Sequence, residues 1–404
     1  MTTLTLDPDA HDATSRPSRA LAADILTGPE VDAIRPDWLA LFDRLDCPHW
    51  SFLPEAYEIW TSLLRKPGAT PVIAVRDDYG RLRGVYPVMR DRVWRGPSMA
   101  PRFDYDPADG RLLSGGTRRP FPLRQIAGPV SLPATMAWPG PLCRPEDQAE
   151  VIDAIAGAIL KMRGWDAVVL PVAEDDAARF WTPAFAARGY APRLQHLGRV
   201  VQNIADLVPF DDLIAPQKRK FRQNVRRARK SGEEIGLTFR FVEGPGAVRE
   251  TFGLIAEIAG QSWKAQGRNG DPVNIPYDTA QRGFFERLFA SDGMHGTPVV
   301  AIAEGPDGPA VVFMLLRTGD TVTALLTFWN GELERASPGL LLLGEAIDWA
   351  LRNGARRFDM NATAPWVRYL ANERITVGNL IVFSRSPYGR LLSAVAKARD
   401  RIGR

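Results

Sequence analysis

The chain has 404 residues, of which 45% are hydrophobic and 24% are charged, with a formal net charge of +4. This composition is typical of a globular protein of two or three domains, and it excludes disordered, collagen-like and coiled-coil chains. No apolar run approaches the roughly 18 residues that a membrane span requires. The two cysteines and four histidines show no metal-ligand or disulfide spacing, so we expect no metal and a cytoplasmic protein.

The first 28 residues are polar and contain proline, and no basic start is followed by an apolar core. This pattern excludes a secretory signal and predicts a flexible leader over residues 1–28. The folded part of the chain is therefore expected to begin at residue 29.

The positive charge is concentrated in residues 216–232, which read PQKRKFRQNVRRARKSG. Removing the eight lysines and arginines of this segment from the overall +4 leaves −4 for the rest of the chain. With Pro216 in the first turn and Gly232 as the stop, the segment predicts a helix with a narrow apolar stripe and a broad cationic face. The face indicates an anionic partner, such as CoA or nucleotide phosphates, a tRNA or an acidic protein surface, unless it is simply solvated.

An internal duplication organises the rest of the chain. Residues 71–89 read as strand, turn and strand, and residues 298–316 repeat that design. Each hairpin is followed by an apolar-periodic helix, a glycine stop and a strand, over residues 150–171 and 343–361. The first copy carries extra residues in the Pro- and Gly-rich stretch 96–145, which predicts loops. The repeated order predicts two similar α/β halves, each with its own sheet.

Further elements are a strand at 237–242, helices at 246–265 and 278–290, a strand at 324–328, a helix at 340–351 and a basic amphipathic helix at 391–402. We expect the last helix to pack on the second domain or, alternatively, to contact a membrane surface peripherally. The predicted architecture is an α/β protein of two tandem domains, 29–205 and 206–404, with mixed sheets flanked by helices.

Four pieces of sequence carry a family resemblance: the basic helix, SWKAQGR at 262–268, RASPGLLLL at 335–343 and FDMN at 358–361. Together they resemble the BioF2-like, CelD-type branch of the GNAT acyltransferases, and Fem-type peptidoglycan aminoacyltransferases are structural relatives of that branch. The resemblance covers residues 210–385, and residues 30–200 by internal analogy. It implies two tandem GNAT-like (acyl-CoA N-acyltransferase) domains with acyl-CoA, above all acetyl-CoA, as co-substrate.

The turn RASPG joins a predicted strand to a predicted helix. Backbone N–H groups are free at such a junction and the helix dipole adds positive potential, which suits an anion. We therefore interpret Arg335, Ser337, Gly339 and Leu340 as donor-binding residues; alternatively, Ser337 is a plain N-cap. The turn departs from the Gln/Arg-x-x-Gly-x-Gly/Ala loop of classical GNAT enzymes.

Acyl transfer to an amine requires a base and stabilisation of the tetrahedral oxyanion. Asp359, on the strand after the last domain helix, is the main candidate for the base, and Glu334 is the alternative. Tyr369 is the candidate acid for a leaving thiolate. Asp166 is interpreted as occupying the matching place in the first copy, which leaves a structural role open for these aspartates. No Ser-His-Asp or Cys-His arrangement is readable, so a covalent acyl-enzyme is not expected.

Aromatic and cationic residues close to predicted loops are candidates for acceptor binding. They are Trp263, Lys264, Arg268, Trp329 and Arg368. For the first two, the alternative is a core tryptophan beside a solvated lysine. Relatives often carry a Tyr-Lys pair near the last of these positions, and this chain has no lysine there.

These residues and the resemblance predict an acyltransferase that moves an acyl group from acyl-CoA to an amine, or a hydroxyl, of a small-molecule or saccharide acceptor. An amino sugar or another polysaccharide precursor is the expected acceptor. One alternative is a Fem-like transferase that uses aminoacyl-tRNA, which the basic helix favours. Another is a non-catalytic binding protein of polysaccharide assembly, which the missing CoA loop and lysine favour.

Overall fold

The structure, a computed structural model, describes residues 21–46, 48–64, 70–95, 103–105, 112–114, 121–128, 139–262, 279–290, 294–331, 333, 336–360 and 369–402. The strands described there are β1 (Ala22–Leu26), β2 (Val72–Arg76), β3 (Leu82–Pro87), β4 (Met89–Arg95), β5 (Phe103–Tyr105), β6 (Leu112–Ser114), β7 (Phe121–Ala127), β8 (Leu142–Cys143), β9 (Ala167–Ala173), β10 (Arg193–Ile204), β11 (Thr238–Glu243), β12 (Thr297–Gly305), β13 (Gly308–Thr318), β14 (Thr321–Trp329), β15 (Arg357–Asp359) and β16 (Glu373–Phe383). The helices are α1 (Pro29–Ala33), α2 (Arg35–Asp43), α3 (Pro54–Leu64), α4 (Gln148–Lys161), α5 (Glu174–Asp176), α6 (Thr182–Ala186), α7 (Phe210–Ile214), α8 (Arg219–Glu234), α9 (Pro245–Gln261), α10 (Thr279–Ala290), α11 (Pro338–Arg352) and α12 (Pro387–Ile402).

A ten-stranded mixed sheet in the order β11-β12-β13-β14-β15-β10-β16-β9-β7-β4 joins the two halves of the chain. The parallel pair β14–β15 of the second half corresponds to the parallel pair β7–β9 of the first, with α11 and α4 as the crossover helices. β10 of the first half lies between β15 and β16, and β16 lies between β10 and β9. The halves are therefore related by an approximate two-fold axis between β10 and β16, and they exchange one strand each.

The first hairpin leaves this sheet. β2 and β3 pair with β1 and β8 in a separate four-stranded sheet, whereas β12 and β13 stay in the ten-stranded sheet. β3 ends at Pro87, which has no N–H for a ladder and a fixed φ, and β4 continues in the larger sheet. The prediction that each half has its own sheet is wrong, because the helix–strand units of both halves share one sheet.

Helices from both halves build a common core. α2 and α3 pack with α9 and α10 against strands of both sheets, and Trp38, Phe42, Phe285 and Phe328 are almost fully buried there. α7, α8 and α11 cover the other face of the second half, and α4 and α6 cover that of the first. Each large apolar side chain contributes about 1.5–3 kcal/mol on burial, so the common core stabilises the contact between the halves as well as each half.

The repeated units form as the sequence predicts. Both hairpins are antiparallel, and the helix–strand units are α4–β9 and α11–β15. Gly164 and Gly354 follow the two helices with φ of 76° and 80°, in the left-handed region that other residues avoid. The predicted strand and helices after the basic segment are β11, α9 and α10.

Two predicted irregular segments contain strands. Residues 1–20 lie outside the described residues, but Ala22–Leu26 pairs with β2, so the predicted leader does not reach residue 28. β7 falls within the predicted loop stretch 96–145. Its pairing with β4 on one side and β9 on the other outweighs the loop-forming composition around it.

The basic helix is displaced from its predicted range, 216–232. α8 spans Arg219–Glu234 and passes through Gly232, and Gly236, with φ of 67°, follows its end. A Cβ at Gly232 would lie 3.0 Å from Leu341 Cδ1 of α11. The glycine therefore permits close packing of two helices instead of ending one.

α12 lies against strands of both halves, because Leu392 is buried with residues of β7, β9 and β16. Its neighbour Leu391 is 51% exposed. No helix in the described parts of the chain has the length and apolarity to cross a membrane. The division into 29–205 and 206–404 stays a prediction.

Candidate active site

The parallel strands β14 and β15 are paired over a short stretch, Thr321–Thr323 with Arg357–Asp359. β15 ends there, whereas β14 continues to Trp329. The register of β14 with β13 also shifts at Leu325, and such a bulge bends a strand. The pairing of the two strands therefore ends at Asp359, and β14 continues past the carboxyl end of β15.

Asp359 lies where the strands diverge and is 2% exposed. Strand alternation places Phe358 in the apolar core beneath α11, and Asp359 with Arg357 on the opposite face. Thr323 of β14 and Asn203 of β10 are the register partners of Asp359 on its two sides. A row of buried polar side chains thus crosses three strands at the point of divergence.

This polar row extends to neighbouring positions. Asn203 Nδ2 donates to Glu373 Oε2 at 2.8 Å, and Arg357 forms an ion pair with the same carboxylate. Among the described residues, Asn203 Oδ1 and the hydroxyls of Thr321 and Thr323 have no hydrogen-bond partner. Since a buried polar atom without a partner costs about 1–3 kcal/mol, this face is chemically suited to hold water or polar atoms of a ligand.

A histidine of the first half lies against this face. His49 stands in the segment between α2 and α3, before the 3-10 turn Trp50–Phe52, and is 7% exposed. Its Nε2 lies 3.2 Å from Asp359 Oδ2. Its Nδ1 lies 2.7 Å from Ser51 Oγ and accepts the Ser51 N–H at 3.2 Å. The two halves therefore meet in a buried His–Asp contact at the divergence of β14 and β15.

The segment that carries His49 is held from both sides. Asp46 forms an ion pair with Arg356, next to β15. Phe52 is buried in the common core, and its carbonyl accepts the Trp38 Nε1–H at 2.8 Å. The position of the imidazole is therefore set by packing in the first half and by charge from the second.

Asp166 belongs to an ion pair at the start of β9. Arg124 donates to both of its carboxylate oxygens at 2.8 and 3.0 Å, and the Asp166 N–H donates to the Arg124 carbonyl at 2.7 Å. In the second half, Arg356 and Asp320 repeat this arrangement with the charges exchanged. The Arg356 N–H donates to the Asp320 carbonyl at 2.7 Å, and Arg356 Nε donates to Asp320 Oδ2 at 2.6 Å. Asp166 therefore corresponds to Arg356.

The first half has no equivalent of Asp359. The parallel pairing of β7 with β9 and of β14 with β15 places Val169 where Asp359 stands. The prediction that Asp166 and Asp359 occupy matching places is therefore wrong. Because the fold forms this strand with a valine in one half, it does not require an acid in the other, and a buried carboxylate is costly unless it is compensated.

The first half is also filled just after β7, the strand that corresponds to β14. A Cβ at Gly128, just after β7, would lie 2.5 Å from Tyr86 Oη and 2.7 Å from Pro171 Cδ. Tyr86 is fully buried, and this burial raises the pKa of its phenol. The described residues leave no room beside Gly128, so the candidate site belongs to the second half.

The turn before α11 has a strained backbone. Ser337 has φ of 47° and ψ of 51°, a left-handed conformation that costs a non-glycine residue about 1–2 kcal/mol, and its side chain makes no capping hydrogen bond. It is therefore not a plain N-cap. The Leu340 N–H donates to the Ser337 carbonyl at 3.0 Å, so it is not available to an anion as predicted. The Gly339 N–H has no partner among the described residues, and a Cβ at Gly339 would meet nothing within 4 Å.

α8 exposes most of its cations. Arg229 pairs with Asp211 at 2.6 Å and Lys230 with Glu234 at 3.8 Å. Six further cations, on α8 or at its N-cap, have no acidic partner in the described parts of the chain: Lys218, Arg219, Lys220, Arg222, Arg226 and Arg227. The helix therefore presents a cationic surface that internal ion pairs neutralise only in part.

The other predicted site residues are distributed as follows. The Tyr369 ring lies 5.2 Å from that of Phe221 on α8, and Trp329 packs against the core beneath α11. Asp359 and the Ser337 turn are both at the carboxyl ends of the parallel strands. Six predicted residues lie outside the described ones: Trp263, Lys264, Arg268, Glu334, Arg335 and Arg368.

Residues 219–366 match the family model described as "Acetyltransferase (GNAT) domain". A search of curated protein sequences finds no match. The solved structure described as "Crystal structure of FemX" is 14% identical, with a TM-score of 0.55 over 88% of this chain and 98% of that one. A conserved protein of unknown function from Bacteroides thetaiotaomicron VPI-5482 is 11% identical, with a TM-score of 0.50 over 89% and 100%. A tandem GNAT protein from the clavulanic acid biosynthesis pathway is 12% identical, with a TM-score of 0.45 over 89% and 98%.

At these identities, the structural likeness concerns the fold. The family match runs from α8 to just beyond β15 and thus contains the diverging strands, the Ser337 turn and Asp359. The approximate two-fold relation extends the same arrangement of strands and crossover helix to the first half. The chain is an α/β protein of two tandem GNAT-like halves, and its residues 219–366 match the family model of the GNAT acetyltransferase domain.

Proposed function

We propose that the protein is an acyltransferase that transfers an acyl group from acyl-CoA, with acetyl-CoA as the first candidate, to an amine of a polar acceptor. The observation that carries the proposal is the divergence of β14 and β15 with the buried Asp359 at its apex, inside the region that matches the GNAT family. Ligands of α/β sheets with parallel strands bind outside the carboxyl ends of those strands.

In this proposal the donor phosphates bind at the start of α11. The Gly339 N–H is directed to the anion, and the open space beside Gly339 permits close approach. Arg335 and Ser337 contribute charge and a hydroxyl, and Leu340 contributes packing. The strain at Ser337 supports a functional turn, because strained backbone conformations cluster at binding and catalytic sites.

The proposed reaction uses Asp359 as the base, with Glu334 as the alternative. Asp359 takes a proton from the acceptor amine, whose nitrogen attacks the thioester carbonyl. The tetrahedral oxyanion then collapses, the carbon–sulfur bond breaks, and the thiolate takes a proton from Tyr369. The products are an amide and CoA.

The acceptor in this proposal is an amino sugar or another polysaccharide precursor. Trp263, Lys264, Arg268, Trp329 and Arg368 are proposed to bind it, since aromatic and cationic side chains suit a polar, partly anionic saccharide. A cytoplasmic location and membership of the BioF2-like, CelD-type branch belong to the same proposal.

Thermal unfolding with and without CoA tests the proposal directly. At 100 times its dissociation constant, a ligand that binds only the folded state adds about 2.7 kcal/mol of stability, which raises Tm measurably. We expect such a shift with CoA and acetyl-CoA. Acetyl-CoA-dependent acylation of a panel of amino sugars, measured by thiol release, then tests the chemistry. Absence of a shift at millimolar CoA would overturn the proposal.

A second candidate is a Fem-like transferase that takes its donor from aminoacyl-tRNA. Two observations favour it: the six cations at α8 without acidic partners among the described residues and the similarity of fold to FemX. The dependence of binding on salt separates the two candidates, as argued below.

A further inference from the structure

We infer that His49, contributed by the first half, is a positioning residue for the carboxylate of Asp359 in the second half. The inference rests on the proposed function, in which Asp359 is the base. It adds a residue from outside the region that matches the GNAT family, and it makes the proposed site a product of both halves.

The hydrogen bonds of His49 define which ring nitrogen carries the proton. Nδ1 accepts the backbone N–H of Ser51 at 3.2 Å and lies 2.7 Å from the Ser51 hydroxyl, so Nδ1 is the acceptor atom of the ring. In a neutral imidazole the proton is then on Nε2. Nε2 lies 3.2 Å from Asp359 Oδ2, so its N–H is directed at the carboxylate.

This N–H would act on Asp359 in two ways. The hydrogen bond occupies one of the two carboxylate oxygens, Oδ2. It also selects one orientation of a side chain that has Thr323 on one side and Asn203 on the other. Because both partners are almost fully buried, solvent competes little for the contact.

Comparison of the two halves indicates that the fold does not require a carboxylate at the position of Asp359. The position of Asp359 is occupied by Val169 in the first half, where the same strand forms without a buried carboxylate. Both halves share a different ion pair, at the start of β9 and of β15: Asp166 pairs with Arg124 in the first half, and Arg356 pairs with Asp320 in the second. Asp359 is not part of it. The His49–Asp359 contact therefore has no counterpart at Val169, the corresponding position of the first half.

Replacing His49 tests the inference through kinetics. We expect His49→Ala to lower kcat about ten- to a hundredfold, the range for loss of a hydrogen bond to a charged group, with KM for acetyl-CoA changed less than twofold. His49→Gln places an amide N–H close to the position of Nε2 and should restore kcat to within about threefold of the wild type. Circular dichroism and Tm establish that both variants are folded.

A double-mutant cycle identifies the partner. If His49 acts through Asp359, then His49→Ala should lower kcat less than about twofold in an Asp359→Asn background. Equal losses in both backgrounds would overturn the inference, as would a folded His49→Gln variant no more active than His49→Ala. A rise in KM for acetyl-CoA with unchanged kcat would also overturn it, because it would mean donor binding.

The protonation of the ring gives a readout that does not depend on activity. Nitrogen-15 NMR of the imidazole side chains, with His49 assigned by its loss in His49→Gln, should show the Nε2–H tautomer in the wild type. The Nδ1–H tautomer in a protein that binds CoA would overturn the inference and leave the proposed function standing. Failure to bind CoA would overturn the proposed function and the inference with it.

Discussion

At the scale of single residues, two buried aspartates have different partners and therefore different predicted roles. Asp359 lies at the diverging strands beside His49, whereas Asp166 accepts three hydrogen bonds from Arg124. We predict that Asp359→Asn lowers kcat by about 10²–10⁴, the usual contribution of a positioned base, with little change in Tm because asparagine keeps the shape of the side chain. Steady-state kinetics and thermal unfolding measure the two effects.

Asp166→Asn is the matched control for that prediction. It removes the charge from an ion pair whose carboxylate is buried and whose guanidinium is half exposed, so we expect a loss of about 1–2 kcal/mol and a near-normal kcat. The opposite pattern, with kcat lost at Asp166 and retained at Asp359, would exclude Asp359 as the base.

Gly339 supplies a second test at the residue scale. It has no positive φ, and a Cβ there would meet nothing within 4 Å, so Gly339→Val should fold normally and lose no helix propensity, because valine is a better helix former than glycine. The branched side chain would stand where a phosphate approaches the Gly339 N–H, and we predict at least a tenfold weaker affinity for CoA by calorimetry. Gly253→Val, in the interior of α9 and also in open space, is the matched control. An unchanged affinity would remove the turn from the site.

The residues of the site differ in how readily the sequence reveals them. Asp359 stands out because a carboxylate interrupts an apolar strand pattern. His49 carries a weaker signal, a single histidine in the apolar segment CPHWSFL, and its partner is more than 300 residues away in the second half. The apparent match between Asp166 and Asp359 failed because the two aspartates lie at different distances from the glycine stops. Asp166 is two residues after Gly164, as Arg356 is after Gly354, and the pairing with β7 and β14 gives the same correspondence.

At the scale of elements, the sequence predicted those helices and hairpins that depend only on residues close together in the chain. Hairpins, crossover helices and the amphipathic α8 follow from periodicity and turn residues within a few positions of each other. The end of α8 was misplaced because Gly232 serves packing against Leu341 on α11, and sequence alone does not distinguish a packing glycine from a helix stop.

The exposed cations of α8 separate the two candidate donors. We predict that Arg226→Glu/Arg227→Glu leaves CoA affinity within a few-fold of the wild type, because CoA has few phosphates and α11 is their proposed site. If aminoacyl-tRNA is the donor, log K should instead fall steeply with log salt, by about 0.7–0.9 for each phosphate contacted, and the double change should reduce that slope by about 1.5–2.

The control for this experiment changes the same charge elsewhere. Arg390→Glu/Lys397→Glu alters two exposed cations of α12 and should affect neither donor. Binding titrations of tRNA and CoA at salt concentrations between about 50 and 300 mM give the salt dependence of each affinity and so distinguish the two candidate donors. A tRNA slope of several units that only the α8 variant reduces would favour the Fem-like candidate over the CoA-dependent one.

At the scale of the whole molecule, the strand exchange links the halves. β10 leaves the first half to pair with β15 and β16, and β16 returns to pair with β9. No local pattern predicts this, because β10 and β16 read as ordinary strands whose partners are chosen by tertiary packing. The common core of α2, α3, α9 and α10 is equally hard to predict. The sequence shows that each helix has an apolar face, but it does not show which other helices pack against that face.

The exchange predicts that the protein unfolds as one unit, with a single calorimetric transition. Val201, on β10, is 4% exposed and pairs with Ile375 of β16. Because proline cannot donate a hydrogen bond to the neighbouring strand, Val201→Pro should lower the free energy of unfolding by about 3 kcal/mol or more. The single Tm should fall, and CoA binding in the second half should be lost at the same lower temperature. Ala23→Pro, in the edge strand β1, is the matched control and should cost much less, since β1 pairs with β2 alone. Two separate transitions, of which Val201→Pro lowers only one, would instead show that the halves fold independently and that the exchanged strands contribute little to holding them together.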